Sequence, residues 1–439
     1  MTDSFAPSPA VQQAPVAIIG WGTAGVNALI GLRNAGYQGP VQVFSNTGIP
    51  PYSPILTSYY AGGAKTYDQC FPWSSEDLAD LNPQVMADCP VTRLDVKERA
   101  IHTPQGTFPY AKCVIATGAK PMCYGFPQVE GFEPLVLRTM DDAQRLKDAI
   151  TDPTCKRILI SGASMVALKT LEACVERGLE VSLVGMMPHV LDRNALPQAA
   201  ERFEEGLRSY GITLRLGTTV KAVEVLSPQE AEAAGAKLRV TFANGDVDVF
   251  DHISVSHGMK CNLDFVPEGA LEMDRALVVD RFMRTSDPDV YAAGDVAQAF
   301  ELISRSKQIV GIWKNAAVQG NVAGTAIAAE MAGHAPDQKR AFTGSIATNT
   351  IEVMDLLFNS AGTMMVGQTE QVEVRESQGM LVVYVFTTEG MPEGQRRLVG
   401  FNLVADKRNG DLSRAYDTGA MLTLRIEAAA RDFLQQAGR

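Results

Sequence analysis

The run Val16-Ala17-Ile18-Ile19-Gly20-Trp21-Gly22-Thr23-Ala24-Gly25 constrains this chain more than any other stretch. Four uncharged apolar residues lead directly into G-x-G-x-x-G, and a helical pattern follows over residues 26–34. This is strand, tight turn, helix. Gly20 makes the turn, Gly22 lets backbone approach a pyrophosphate, and Gly25 lets helix pack close to strand. The amides of the first helical turn, at Thr23 and Ala24, are where a phosphate rests. Alone the motif is a weak signal, and its weight depends on distant segments that echo it.

The chain continues as a β-α-β unit. Pro40-Val41-Gln42-Val43-Phe44 reads as the second strand, and Ser45-Asn46 stands where such folds usually place an acid on the ribose. Residues 50–63 are bounded by proline and glycine and read either as a surface loop with a short helix or as a wall of a cofactor pocket. Residues 91–108, opening at Val91, read as a hairpin or meander. Ala111 to Pro121 then closes the block as an apolar strand ending in Ala116-Thr117-Gly118, small residues that let a bulky ligand pass the backbone.

A second strand-turn-helix begins at Lys156 and repeats the spacing in degraded form. Gly162 is kept, Ser164 and Ala167 replace the later glycines, and Gly185 occupies the acidic position. A helix is expected over 197–210 and strands over 213–225 and 237–250. Another strand, 253–256, ends at His257-Gly258. Thr285 to Val296 reads as a strand delivering Gly294-Asp295 to the head of a helix. Residues 314–331 form a small-residue helix with Gly320 and Gly324 spaced for close packing. Residues 335–339 look like a linker, followed by β-rich sequence and a helix over 421–436. The fold class expected is α/β: two tandem Rossmann-like dinucleotide-binding domains and a C-terminal α+β interface domain.

Length and charge bound the function. At 439 residues the chain has room for about three domains. A net charge of −11 argues against nucleic acid or an anionic membrane as partner. Residues 1–14 lack the basic and apolar regions of a signal peptide and read as a loose arm, and no apolar run is long enough to span a membrane. Seven scattered cysteines, an odd number without C-x-x-C, point to a reducing cytoplasm, and no metal site is read.

Four segments agree in order and spacing: G-W-G-T-A-G at Gly20, A-T-G-A-K-P at Ala116, G-A-S-M-V-A at Gly162 and T-S-D-P-D-V-Y-A-A-G-D-V at Thr285. With them the chain resembles the FAD-dependent pyridine nucleotide-disulfide oxidoreductases, and Trp313 to Gly324 looks like that family's helix beside the flavin. The resemblance implies FAD contacts at Gly20, Gly22, Thr23, Ala24, Gly25, Ser45, Asn46, Thr57, Val91, Ala116, Thr117, Gly118, Gly294 and Asp295. Asp295 would bond the ribityl chain. It implies a nicotinamide site, NAD(P)H if any, at Gly162, Ser164, Gly185 and Gly258, with Lys260 and Asn262 in the segment that closes over the nicotinamide. Lys169 stands where the family usually has a Glu near that ring. The domains expected are FAD binding over 15–121 and 251–334, NAD(P) binding over 122–250, and homodimerisation over 335–439.

The C-terminal part resembles the NADH oxidase and coenzyme A disulfide reductase branch. That branch carries a reactive Cys where this chain has Leu56-Thr57-Ser58. Thiolate chemistry is therefore not expected, and Cys70 reads as a small buried hydrophobe. The loop is instead similar to that of rubredoxin reductases, ferredoxin reductases and the nitrite reductase flavin domain. The leading expectation is an FAD enzyme passing electrons from NAD(P)H to a protein or small acceptor, with no catalytic side chain named. The alternatives are a flavoenzyme acting directly on a small substrate, and a non-catalytic flavoprotein subunit of a redox complex. Gly185 gives no source for strong NADH preference, and His189 and Arg193 are the candidates to meet a 2'-phosphate.

Overall fold

The computed structural model describes residues 14–436, so the expected arm falls, but for Ala14, outside the described residues. The chain divides into two compact units. The first takes residues up to Ser53, Asp68–Lys120 and Lys260–Ser345. The second takes Pro54–Tyr67, Pro121–Met259 and the chain from Ile346 onward.

The first unit is built on a parallel sheet. Its strand order is Val290–Ala292, Lys112–Ile115, Val16–Ile19, Val41–Phe44 and Gln84–Met86. The central strands are short, uncharged but for Lys112 and buried on both faces, as a sheet covered on both sides requires. The helices Thr23–Asn34 and Trp313–Met331 pack backbone to backbone. A methyl group at Gly320 would lie 2.2 Å from the Ala24 carbonyl oxygen. Residues 91–108 give the expected meander: Arg93–Asp95, Ala100–Thr103 and Gly106–Pro109.

One expectation fails here. Gly294-Asp295 does not open a long helix. It forms a single 3-10 turn, Gly294–Val296, followed by the strand Ala297–Glu301 paired with Ser306–Gln308. The helix starts only at Trp313. Ala297, Gln298, Ala299 and Glu301 are buried in a strand that pairs with Leu277–Val278 on one side and Ser306–Gln308 on the other, and that pairing wins over the helical pattern.

The second unit holds the second parallel sheet, ordered Thr213–Leu216, Glu180–Gly185, Arg157–Ser161 and His252–Val255. The strand His252–Val255 thus belongs with the second nucleotide fold, not the first. An antiparallel sheet of Val220–Val225, Leu238–Phe242 and Val247–Phe250 joins it.

The C-terminal sheet runs Thr348–Val353, Leu356–Gly362, Arg397–Asp406, Met380–Thr387 and Glu370–Ser377, all antiparallel. It is not a separate domain. The helix Pro197–Ser209 of the second nucleotide fold packs on one face, where Phe203 meets Phe358 and Gly206 meets Leu356. The helix Leu412–Gln436 packs on the other, where Gly419 meets Asn359. That helix begins nine residues before the expected Met421, with Asp411 receiving the amides of Ser413 and Ala415. Residues 335–345 stay with the first unit, Phe342 lying in its core. Among the described residues no helix is long and apolar enough to cross a membrane, and no cluster of His, Cys, Asp or Glu could hold a metal ion.

Candidate functional site

At the carboxyl edge of the first sheet, Gly20 takes φ +106°, and a methyl group on it would lie 2.3 Å from the Ala116 carbonyl oxygen. Gly25 is equally confined, 2.1 Å from the Gly20 carbonyl oxygen. Gly22 is different: no atom lies within 4 Å of a methyl group placed there. It is the N-cap of the helix Thr23–Asn34 and has no side chain to occupy the first-turn amides, which lie at the positive end of the helix dipole. A helix N-terminus left open in this way suits a phosphate group.

The flanking residues are held by bonds within the protein. Thr117 Oγ1 donates to the Asn262 carbonyl at 2.7 Å, and Asn262 Nδ2 returns a bond to the Thr117 carbonyl at 3.0 Å. Ala116-Thr117-Gly118 is thereby fixed at the end of its strand. The amide of Gly294 donates to the buried Gln319 Oε1 at 2.8 Å, and the Asp295 carboxylate lies beside Gly311. Ser45 is buried and its hydroxyl donates to the Thr47 carbonyl, whereas Asn46 is exposed. Val91 is half-buried against the unit's core. A cavity of about 490 Å³ opens beyond the same strand ends, lined by Trp21, Thr47 to Pro50, Leu78 and Val85 among others. Trp21 sits inside the glycine motif at one of its variable positions, which is why the pattern alone gave it no role. Thr57 belongs to the second unit, where its hydroxyl donates to the Pro54 carbonyl.

The second nucleotide fold keeps the turn. Gly162 has φ +118°, with the Ser256 carbonyl oxygen 2.5 Å from an added methyl group. Ser164 caps the helix Met165–Val175 through the Ala167 amide. Gly185 ends its strand against Ala163 and Leu216, followed by exposed Met186 and Met187. Gly258, at φ +111°, is exposed. Next to it His257 Nε2 meets Ser161 Oγ at 2.9 Å and its Nδ1 meets the Tyr124 carbonyl at 2.7 Å, a pairing sequence reasoning missed. The carbonyl can only accept, so Nδ1 carries a proton, and in the neutral ring the Ser161 hydroxyl donates to Nε2.

Three charged residues are not free in the way expected. His189 is held by the buried carboxylate of Glu204, which also receives the Val190 amide, leaving Arg193 as the exposed cation of that loop. Lys260 and Lys120 both pair with Asp264, holding its carboxyl down at about 2. Lys169 pairs with Glu172, donates to the Glu352 carbonyl at 3.0 Å and lies over the Tyr59 ring. Glu172 in turn receives the Met354 amide. Lys169 therefore ties its helix to the C-terminal sheet. A helical Lys gives no sign in sequence of which neighbour it will meet.

Five of the seven cysteines have thiols pushed up by burial. Cys70 is fully buried, as expected. Burial pushes the thiols of Cys113 and Cys174 far up, that of Cys155 to about 11, and those of Cys123 and Cys261 upward too.

The chain holds two nucleotide folds in tandem, and each keeps a glycine turn at its strand ends. Residues 14–320 match the pyridine nucleotide-disulphide oxidoreductase family, and the chain belongs to it. It is an NAD(P)H-dependent flavin oxidoreductase. The chain is 27% identical over 384 residues to the NADH-dependent phenylglyoxylate dehydrogenase subunit epsilon of Aromatoleum evansii, covering 87% of each chain. It is 27% identical to the rubredoxin-NAD(+) reductase of Pseudomonas putida, over 71% of this chain and 79% of that one. The reductase in the covalent putidaredoxin reductase-putidaredoxin complex is similar in fold. That match has a TM-score of 0.76 and 21% identity, over 94% of this chain and 93% of that chain.

Proposed function

We propose that the first nucleotide fold holds FAD, the second holds NAD(P)H, and the electrons leave to a one-electron protein carrier. When bound, FAD supplies the chemistry that takes a hydride and releases its electrons singly. The chain's own part is to bind and orient. The amides of Thr23 and Ala24 would hold the pyrophosphate, with Gly20, Gly22 and Gly25 shaping the turn. Asn46, rather than Ser45, has its side chain available for the adenosine ribose. Ala116, Thr117, Gly118, Gly294 and Asp295 would line the rest. Gly162, Ser164 and Gly258 would receive the nicotinamide nucleotide. Hydride transfer needs no side-chain acid or base, and none is assigned.

The observation that carries the choice of acceptor is the thiol chemistry. Thr57 and Ser58 stand in the helix Thr57–Gly62, and every thiol with a resolved shift is raised. A disulfide acceptor would need a thiolate. The named relatives include reductases of rubredoxin and putidaredoxin, which fits one-electron delivery to a protein. The match across 87% of a dehydrogenase subunit supports a second form of the same reading, in which the acceptor is a permanent partner subunit.

The test is anaerobic titration of the flavin-loaded protein with NADH and NADPH, then addition of a ferredoxin or rubredoxin with cytochrome c as reporter. Flavin reduction with carrier-dependent reporter reduction is expected. A flavin that neither nucleotide reduces would sink the proposal. A homodimer is part of it. A helix packs on each face of the C-terminal sheet, and a second copy would meet the outer side of the helix Leu412–Gln436, where Met421 and Leu424 are exposed. A monomer in sedimentation at micromolar concentration would refute that.

A further inference from the structure

The loop 186–196 joins the end of the strand Glu180–Gly185 to the helix Pro197–Ser209. It carries exposed Met186, Met187 and Arg193, the residues that follow the ribose position of the second nucleotide fold. The loop is pinned from three directions. Glu204 receives the Val190 amide at 3.0 Å, and the Ala163 carbonyl receives the Leu191 amide at 2.9 Å. Leu191 is held at φ +57°, a conformation that needs such support.

The third pin comes from the C-terminal sheet. Asn402, in the strand Arg397–Asp406, has no exposed surface. Its Oδ1 receives the Leu196 amide at 2.7 Å, and its Nδ2 donates to the Asn194 carbonyl at 2.8 Å. One side chain thus satisfies a donor and an acceptor two residues apart, much as a neighbouring strand would. Leu196 is also the N-cap of the helix Pro197–Ser209 and has no side-chain cap of its own. An amide in a dry site is costly to leave half-paired, so the loop end and Asn402 fix each other.

From this bidentate contact we infer that Asn402 is a positioning residue for the pyridine nucleotide. Through it the C-terminal sheet sets the shape of the loop that meets the adenosine end of NAD(P)H. The inference rests on the proposal that this fold holds NAD(P)H. Asn402 touches no nucleotide and no reacting atom, so it acts on binding and not on the hydride step.

The test uses the full-length, flavin-loaded protein and the rate of anaerobic flavin reduction against NADH and NADPH concentration. Asn402→Ala should raise the half-saturating concentration about tenfold, the change worth one hydrogen bond of ordering. The limiting rate should stay within about twofold, because the hydride geometry is untouched. Asn359→Ala is the control. Its side chain lies on the opposite face of the same sheet, against Gly419, so it loosens the sheet without touching the loop. Hydrogen exchange at residues 186–196 should quicken in the Asn402 variant and not in the control. If Asn402→Ala does not accumulate, Asn402→Ser, which still satisfies one of the two groups, should give a smaller shift of the same kind.

Unchanged saturation in the Asn402 variants, or an equal shift in Asn359→Ala, would overturn the inference while leaving the nucleotide assignment intact. A wild-type flavin reduced by neither nucleotide would overturn both together.

Discussion

Gly324 lies so close to Ala28 that a methyl group on it would come within 1.9 Å of the Ala28 carbonyl oxygen. The glycine in the helix Trp313–Met331 is therefore what brings that helix onto the one following the phosphate turn. Neither helix can shift without the other, so the turn is held by a rigid pair.

Two glycines should then respond in opposite ways. Gly324→Val forces the helices apart and should lower stability by ~3 kcal/mol or more, a large part of what a domain has. Gly22→Val meets no atom within 4 Å at its Cβ, and Gly22 has φ −99°, which any residue adopts. It should fold with stability changed by less than ~0.5 kcal/mol yet bind FAD at least ~10-fold more weakly. Thermal melts of the FAD-free protein and flavin titration separate the two. Equal loss of stability in both would show that the open space at Gly22 is not a ligand's.

Thiol chemistry gives the next expectation. Burial favours the neutral thiol, so Cys155, pushed up to about 11, carries almost no thiolate at pH 7, and Cys113 and Cys174 carry less. Alkylation at pH 7 should leave flavin reduction and carrier reduction unchanged. Susceptibility should grow as pH rises and the raised thiols begin to ionise. Rapid inactivation at pH 7 by a small alkylating agent would place a reactive cysteine in the path of the electrons.

The glycine turns were legible because each demands a backbone geometry that only one residue type supplies. Gly20 and Gly162 sit at positive φ against a carbonyl, and the sequence records that constraint directly. What followed Asp295 was not legible, since Ala-Gln-Ala-Phe-Glu suits strand or helix until its neighbours are known. The union of the C-terminal sheet with the second nucleotide fold was hidden for a similar reason. It rests on Asn402 and Asn194, 208 positions apart, and on Phe203 meeting Phe358. Such pairs leave no period in the chain. His189 misled because a histidine after a ribose strand reads as a phosphate ligand, and only the fold reveals Glu204 behind it.

Lys169 is tested through its pairing with Glu172. The two side chains are 14% and 12% exposed, so removing one leaves a nearly buried charge. Lys169→Met should cost roughly 3–5 kcal/mol of stability. Adding Glu172→Gln should recover much of this, since the amide oxygen can still receive the Met354 amide. The half-saturating NAD(P)H concentration should stay within about twofold, because the lysine contributes to packing and not to the nucleotide's affinity. A large change in that concentration with stability intact would return Lys169 to the nicotinamide.

Nicotinamide choice turns on Arg193. A carboxylate at the end of the second strand would favour NADH by bonding both ribose hydroxyls and repelling a 2'-phosphate, and Gly185 does neither. The 2'-phosphate carries close to two negative charges at neutral pH. With His189 held by Glu204, Arg193 is the exposed cation on the loop that follows the strand. Weak discrimination or a modest NADPH preference is expected from the wild type. Arg193→Ala should lower the efficiency of flavin reduction by NADPH about tenfold while leaving NADH within about twofold, the effect of one charge-assisted hydrogen bond. Gly185→Glu pushes the same way, but its Cβ would stand 3.2 Å from both Ala163 Cβ and Leu216 Cδ2, so its neighbours must yield first. Pairing it with Ala163→Gly relieves one of those contacts and should show the larger swing toward NADH. A wild type that already prefers NADH a hundredfold, or an Arg193→Ala variant with unchanged NADPH kinetics, would mean that a residue other than Arg193 reads the ribose.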